Sequence, residues 1–342
     1  MSININIILT SISFFLLCIF IPEITNKFNI LKNILKKNHN INKAEASLSG
    51  GICFIFTLII FDLINGEVKY IFYAILIFFI GIFSDKNIIK SPQKRFLLMI
   101  LVLFFFSIFE DFKILNTNVF LIDEFIQYSN YLGIIFFIFC LSILINGCNF
   151  IDGINNNLNI YFLYSNLILF LIKKKIGIEA DINILLIVLC IIFIYFNFFE
   201  KIFFGDNGSY LVGFILGVDL IHLFNTYNEI SKFFAILIFF YPCFEVLFSI
   251  LRKFSLKISP LLADKKHLHS IMVIFLIKKN FNKRISHFMT SFLLNSLFFI
   301  PIVLNLNKFY HTQNILISLI FVIGIYLILF SFFKRSIDIK FR

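Results

Sequence analysis

Residues 131–146 read Y-L-G-I-I-F-F-I-F-C-L-S-I-L-I-N, and residues 147–157 continue as G-C-N-F-I-D-G-I-N-N-N. The first stretch holds no charge and approaches the roughly 20 apolar residues that a spanning helix needs. The second is a cluster of Asn and Gly around a single Asp, the composition of a turn where a helix must stop. Working outward, the same alternation of apolar run and polar break recurs along the chain. Eleven runs can be placed, at about 4–21, 48–64, 70–83, 96–109, 131–146, 158–172, 182–199, 209–224, 233–251, 286–306 and 314–333. The composition agrees: 342 residues are 60% hydrophobic and 14% charged, with a mean hydropathy of +0.96. Soluble domains carry about 45–50% apolar and about 25% charged residues. A soluble globular domain, a disordered chain and a secreted disulfide scaffold are thereby excluded.

The expected fold is an all-α integral membrane protein of about eleven transmembrane helices, a single polytopic domain over residues 1–342. Spans and short loops consume nearly the whole length, so chemistry is confined to loops and helix ends. The six cysteines mostly lie inside apolar runs without C-x-x-C spacing, and read as small apolar fillers. No basic segment precedes the first run, so no cleavable signal is expected. No internal repeat of the kind found in many transporters is visible. The net charge of +11 raises nucleic acid as a partner, but in a membrane chain the location of charge outweighs its sum. Of the 30 Lys and Arg, 23 fall in the odd-numbered loops and the C-terminal tail and 7 elsewhere. The positive-inside rule therefore predicts odd loops and C-terminus in the cytoplasm and the N-terminus outside.

Those same odd loops, at about 22–51, 84–95, 146–157, 200–209 and 252–285, carry the unusual residues. The first ends in Ser49-Gly50-Gly51, and the second holds Asp85, Ser91-Pro92 and Lys94. The third holds Asn146, Asn149 and Asp152, and the fourth Gly205, Asp206, Gly208 and Ser209. The fifth carries Arg252, Ser259-Pro260, Asp264, His267 and His269. Three carboxylates, glycine-rich turns and a histidine pair on one face point to divalent-metal chemistry on a phosphate-containing substrate. Magnesium takes one or two carboxylates and completes its shell with phosphate oxygens and water. Glycines and helix N-termini let backbone N–H groups approach phosphates.

Each element also has an ordinary role. A lone Asp at a helix end is usually a cap or solvated, and Gly50-Gly51 is ordinarily a turn or a close helix contact. His267 and His269 would point to opposite faces of a helix, so a metal pair there needs an extended segment. The basic residues of the fifth loop serve orientation and anionic lipid equally well. Asp219, His222 and Glu245 are ionisable residues inside apolar runs, a functional signal by default.

In this order, from about residue 43 to 270, the set resembles the polyprenyl-phosphate N-acetylhexosamine-1-phosphate transferases, of glycosyltransferase family 4 type. Asp85 with Ser91-Pro92 and Lys94 matches the acidic loop after the third span. N-G-C-N-F-I-D-G matches N-x-x-N-x-x-D-G, and G-D-N-G-S matches G-D-x-G-S. Pro242–His269 follows P-x-x-D…R-R…S-P…D-R-x-H-x-H-H. The resemblance implies transfer of a sugar-1-phosphate from a UDP-sugar to polyprenyl phosphate with release of UMP, at the cytoplasmic face of a bacterial inner membrane, beginning a cell-envelope glycan. It implies Mg²⁺, with Mn²⁺ as the alternative ion, and no nucleic acid; a homodimer is compatible with it. By position, Asp206 would be the main metal ligand and Asp85 would lie beside the metal and the lipid phosphate, with Asp152 as the third catalytic acid. Asp152 and Asn149 would shape the nucleotide-sugar pocket, with His267 and His269 on the donor phosphates. Lys94, Asn146, Gly205, Gly208, Ser209 and Asp264 would complete the substrate contacts.

The chain departs from that pattern at several positions. Ser84 stands where the first of two adjacent acids is usual, Asn155 replaces a second acid, Ser270 the last His, Lys265 an Arg and Glu245 an Asp. The Pro-rich lead into the first Gly-Gly is A-E-A-S-L-S. These changes set the chain apart from the peptidoglycan branch and leave the donor sugar open. A non-catalytic relative that binds lipid phosphate or a partner enzyme, and a multi-pass transporter, are the competing expectations.

Overall fold

The computed structural model describes residues 4–28, 31, 47–66, 70–257, 259 and 266–337. Asp264, with Pro260 and Lys265, lies outside the described residues. Among the described residues the chain is helical, with no named strand. The helices are α1 (Ile5–Lys27), α2 (Gly50–Asn65), α3 (Ile71–Asp85), α4 (Pro92–Phe109), α5 (Phe120–Tyr128), α6 (Asn130–Ile151) and α7 (Asn157–Lys175). They continue with α8 (Asp181–Phe198), α9 (Gly205–Thr226), α10 (Lys232–Ser255), α11 (Leu268–Lys278), α12 (Lys283–Leu304) and α13 (Thr312–Ser336).

Each of the eleven apolar runs falls on one of these helices. Eight (α1, α4, α6, α8, α9, α10, α12 and α13) are long and apolar enough to cross a membrane, as in a multi-pass membrane protein. The helices α2 and α3, of 16 and 15 residues, are apolar but shorter. Helix α7 is less apolar because it carries Asn157, Asn159, Ser165, Asn166 and Lys173, all turned inward and buried. Two helices were not expected. The α5 segment, F-L-I-D-E-F-I-Q-Y, is only 9 residues long and interrupted by two acids. The α11 segment is an 11-residue apolar piece inside the most basic loop, so its charge context hid it.

Helix α9 is the axis of the bundle. Within its span-length window 78% of residues are buried, against 22% to 50% in the other seven spans. It packs on α2, α3, α6, α7 and α10. Between helices in lipid, close approach of backbones replaces the hydrophobic drive, and small residues permit it. A Cβ on Gly81 would lie 2.3 Å from the Asn207 Cα, and one on Gly51 would lie 2.6 Å from the Gly208 N. These glycines seat α3 and α2 directly on the first turn of α9. The extended segments ahead of α2 and α9 also pair, in a single parallel bridge between Ser47 and Ile202. Phe203 N donates to Ser47 O and Gly50 N to Phe203 O, both at 2.9 Å, so the two helices start level with each other. Phe54 packs beneath this junction against Phe14, Phe193 and Phe204.

One group of polar residues inside the bundle is partnered internally, as burial in hydrocarbon favours. Lys173 Nζ donates to Asp219 at 2.7 and 2.9 Å and to Asn183 Oδ1 at 2.8 Å. Asn183 in turn donates to Asn166 Oδ1 at 3.0 Å. Asn166, Lys173 and Asp219 line a cavity of about 400 Å³ toward the C-terminal end of α9, which also takes in His222.

Candidate active site

The site forms where α3, α4, α6 and α9 end or begin together. Asp85 is the last residue of α3, Asp152 the C-cap of α6 and Asp206 the second residue of α9. Helix ends with carboxylates are therefore where the sequence placed them, and they converge. Asp85 accepts from the backbone N–H groups of Asp206 and Asn207, both at 3.0 Å, and from Asn207 Nδ2 at 2.6 Å. It thus caps α9 from another helix, satisfying two of the free N-terminal N–H groups and opposing the positive end of the helix dipole. Gly205 makes this possible. Its φ of +69° turns the chain into α9, and a Cβ there would sit 2.9 Å from Asp85 Oδ2.

Asp206 is held from three sides. Arg95 Nη1 donates to its Oδ2 at 2.6 Å, Ser84 Oγ donates to the same oxygen, and Asn149 Nδ2 donates to Oδ1 at 2.7 Å. Arg95 also donates to Ser84 Oγ. Asn149 donates to Ser209 Oγ at 2.9 Å, tying the G-D-N-G-S turn to α6. Asp152 completes the group. Desolvation, then the nearby charges of Asp206 and Asp85, push its carboxyl well above the usual range, against a hydrogen bond from Gly205 that lowers it. The three carboxylates lie in mutual electrostatic reach, and Arg95 is paired with one of them.

The histidines approach from the other side of α6. The chain stays extended at His267, with φ −85° and ψ 149°, and α11 begins at Leu268. The two rings are consequently parallel, 5.5 Å apart and 1° from coplanar directions, rather than on opposite faces of one helix. Glu245 on α10 fixes His267 and the start of α11: its Oε2 pairs with His267 Nδ1 at 2.9 Å and its Oε1 accepts from Leu268 N at 3.1 Å. His267 meets the Phe150 ring edge-on at 5.2 Å. His269 Nε2, buried with no partner, faces Gly153, where a Cβ would come within 2.6 Å of it. The α6 end, Asn149–Gly153, is therefore the wall shared by the carboxylates and the imidazoles.

For three of the expected residues the structure shows other contacts or exposure. Lys94 is exposed, and its neighbour Arg95 reaches Asp206 instead. Asn146 donates to the Ser142 carbonyl of its own helix at 2.8 Å. Gly208 serves helix packing, against Phe204 and the Gly51 N. Arg95, Asn207 and Phe150 were not singled out from the sequence. For Arg95 a signal existed: the buried residues of α4 are Met99, Leu103, Phe106 and Ser107, and Arg95 lies one turn before Met99 on that inward stripe.

The carboxylate oxygens differ in their room for a cation. Asp85 Oδ2 and Asp206 Oδ2 each accept two hydrogen bonds, the capacity of an oxygen with two lone pairs. Asp85 Oδ1, Asp206 Oδ1 and the Asp152 carboxyl keep acceptor capacity. Among the described residues no three His, Cys, Asp or Glu side chains are grouped to hold a metal ion by themselves. A hard cation bound by one or two carboxylates and completed by phosphate oxygens fits this donor set.

Residues 68–224, from just before α3 to near the end of α9, match the family model described as glycosyl transferase family 4. The chain is also 26% identical over 226 residues to a phospho-N-acetylmuramoyl-pentapeptide-transferase of Thermotoga petrophila, covering 61% of this chain and 69% of the relative. The matched segment contains Asp85, Arg95, Asn149, Asp152 and Asp206. Both findings support a transferase of the superfamily that the motifs resemble.

Proposed function

We propose that this chain, which is similar to glycosyl transferase family 4 over residues 68–224 and to a phospho-N-acetylmuramoyl-pentapeptide-transferase, moves a sugar-1-phosphate, of the N-acetylhexosamine class, from a UDP-sugar to polyprenyl phosphate and releases UMP. The observation that carries this reading is the convergence of Asp85, Asp152 and Asp206, from three helices, around the first turn of α9. In phosphoryl transfer the protein's task is positioning and charge neutralisation rather than covalent chemistry. Asp206, with Asp85 beside it, would hold Mg²⁺ or Mn²⁺, which when bound neutralises phosphate charge, and Asp152 would be the third acid at the site. Asp85 holds α9 in register and keeps one oxygen available at the site. Asn149 and Ser209 orient Asp206. His267 and His269 stand across the α6 end as donors for the phosphates of the nucleotide sugar.

On this reading the site faces the cytoplasm, where the nucleotide sugar is found, and the acceptor presents its phosphate from the inner leaflet. Ser84 replaces an acid proposed as base in the resembled family. A phosphate monoester has a second pKa of about 6, so near neutrality much of the acceptor is already the nucleophilic dianion. Loss of that acid is compatible with turnover. The relative's name concerns transfer of a phospho-N-acetylmuramoyl-pentapeptide, and at 26% identity that group is not carried over.

The test is isotope exchange. Membranes containing the protein should exchange labelled UMP into a UDP-N-acetylhexosamine only when polyprenyl phosphate and a divalent cation are both supplied. Exchange that persists in Asp206→Ala would remove Asp206 from the metal role. Binding of UDP-sugar without product, across a panel of donors, would favour the non-catalytic reading.

A further inference from the structure

This inference rests on the reading above and concerns how the site is held before substrate arrives. Arg95 Nη1 makes two bonds, to Asp206 Oδ2 at 2.6 Å and to Ser84 Oγ. Ser84 Oγ closes the triangle by donating to the same Asp206 oxygen. Two consequences follow from the donor count. Asp206 Oδ2 has no lone pair left for a cation while this triangle stands. A guanidinium carries five N–H donors in a planar fork, and these bonds use only Nη1. Arg95 Nε is buried and has no acceptor. The Nε–Nη2 edge of Arg95, which these bonds leave unused, matches an oxyanion with paired oxygens, of which phosphate is the one the proposed substrates carry.

Serine is what allows the triangle. Its hydroxyl accepts from Arg95 and donates to Asp206 at once, whereas an ionised acid at position 84 could only accept and would repel Asp206. We propose that Ser84 and Arg95 form a latch on Asp206 that a phosphate ligand opens: the free edge of Arg95 engages the phosphate, Oδ2 is released, and the divalent ion takes its place. Phosphate ligand and cation then bind with positive coupling, and by linkage each strengthens the other equally.

The probe is Mn²⁺, followed by electron paramagnetic resonance on the full-length protein in detergent, with and without UMP, against a protein-free titration. In the unaltered protein UMP is expected to tighten Mn²⁺ by about tenfold, within the usual range of coupling between sites. Arg95→Gln should bind Mn²⁺ more tightly without UMP, and the UMP effect should fall below about twofold. Arg95→Lys keeps the charge but lacks the fork, and should also lose the UMP effect, which covers the case in which the glutamine variant does not fold. Arg335→Gln, the same charge change at the exposed end of α13, should behave as the unaltered protein. Full UMP coupling in both Arg95 variants would overturn the latch and leave the proposed function standing. Absence of any Mn²⁺ binding, with or without UMP, would overturn both.

Discussion

Asp85 joins two roles that are usually counted as alternatives. As the cap of α9 it is structural, accepting from Asp206 N and Asn207 N, yet it lies within electrostatic reach of Asp152. The sequence shows the carboxylate but not the helix it caps, because that partner is more than a hundred positions away. The same holds for Arg95 and Lys94: two adjacent bases look alike in a motif, and only the inward stripe of α4 separates them. Two residue-level outcomes follow. Gly81→Ala places a methyl 2.3 Å from the Asn207 Cα and should cost about 1–3 kcal/mol, read as a lowered unfolding temperature in detergent. Gly324→Ala, with nothing within 4 Å, should be close to neutral and serves as its control. Asp152 offers a second test. Its folded-state pKa is raised, so the native state holds that proton more tightly than the unfolded chain does. Its contribution to stability is complete below the unfolded carboxylate value of about 4 and is lost as pH rises through the folded value. In chelator, stability should fall over that rise, and Asp152→Asn should flatten the profile.

At the scale of elements, the apolar runs were legible because each is a continuous statement in the sequence. The exact helix starts were not. The reading of His267 and His269 turned on whether a helix covered both, and the chain places the boundary between them, with Glu245 as the anchor. That anchor could not be read from α11 alone, because it sits 22 positions earlier on α10. Glu245→Ala should leave His267 and the Leu268 N–H without their partner, at a cost of about 1–3 kcal/mol. The loss should appear as faster amide exchange over Leu268–Met272, with little change in α3 or α9. If exchange there is unaltered, Glu245 does not hold the start of α11.

For the whole molecule, composition and charge placement were enough for an all-helical membrane protein, and the motif order for its relatives. Convergence was the part beyond reach, since helix neighbours are set by surface fit rather than by any local pattern. The proposed orientation can be checked directly: a reporter fused after Arg342 should be active only in the cytoplasm. One packing feature bears on biosynthesis as well. Helix α9 has a hydropathy of 1.4, the lowest of the eight spans, while being the most enclosed. A segment so polar partitions weakly from the translocon on its own. Its neighbours α2, α3, α6 and α7 are all synthesised before it, and only α10 follows. The nascent chain therefore offers α9 a nearly finished berth, and insertion of this segment should depend on those earlier helices being present. Transplanted alone into a host membrane protein, it should integrate poorly.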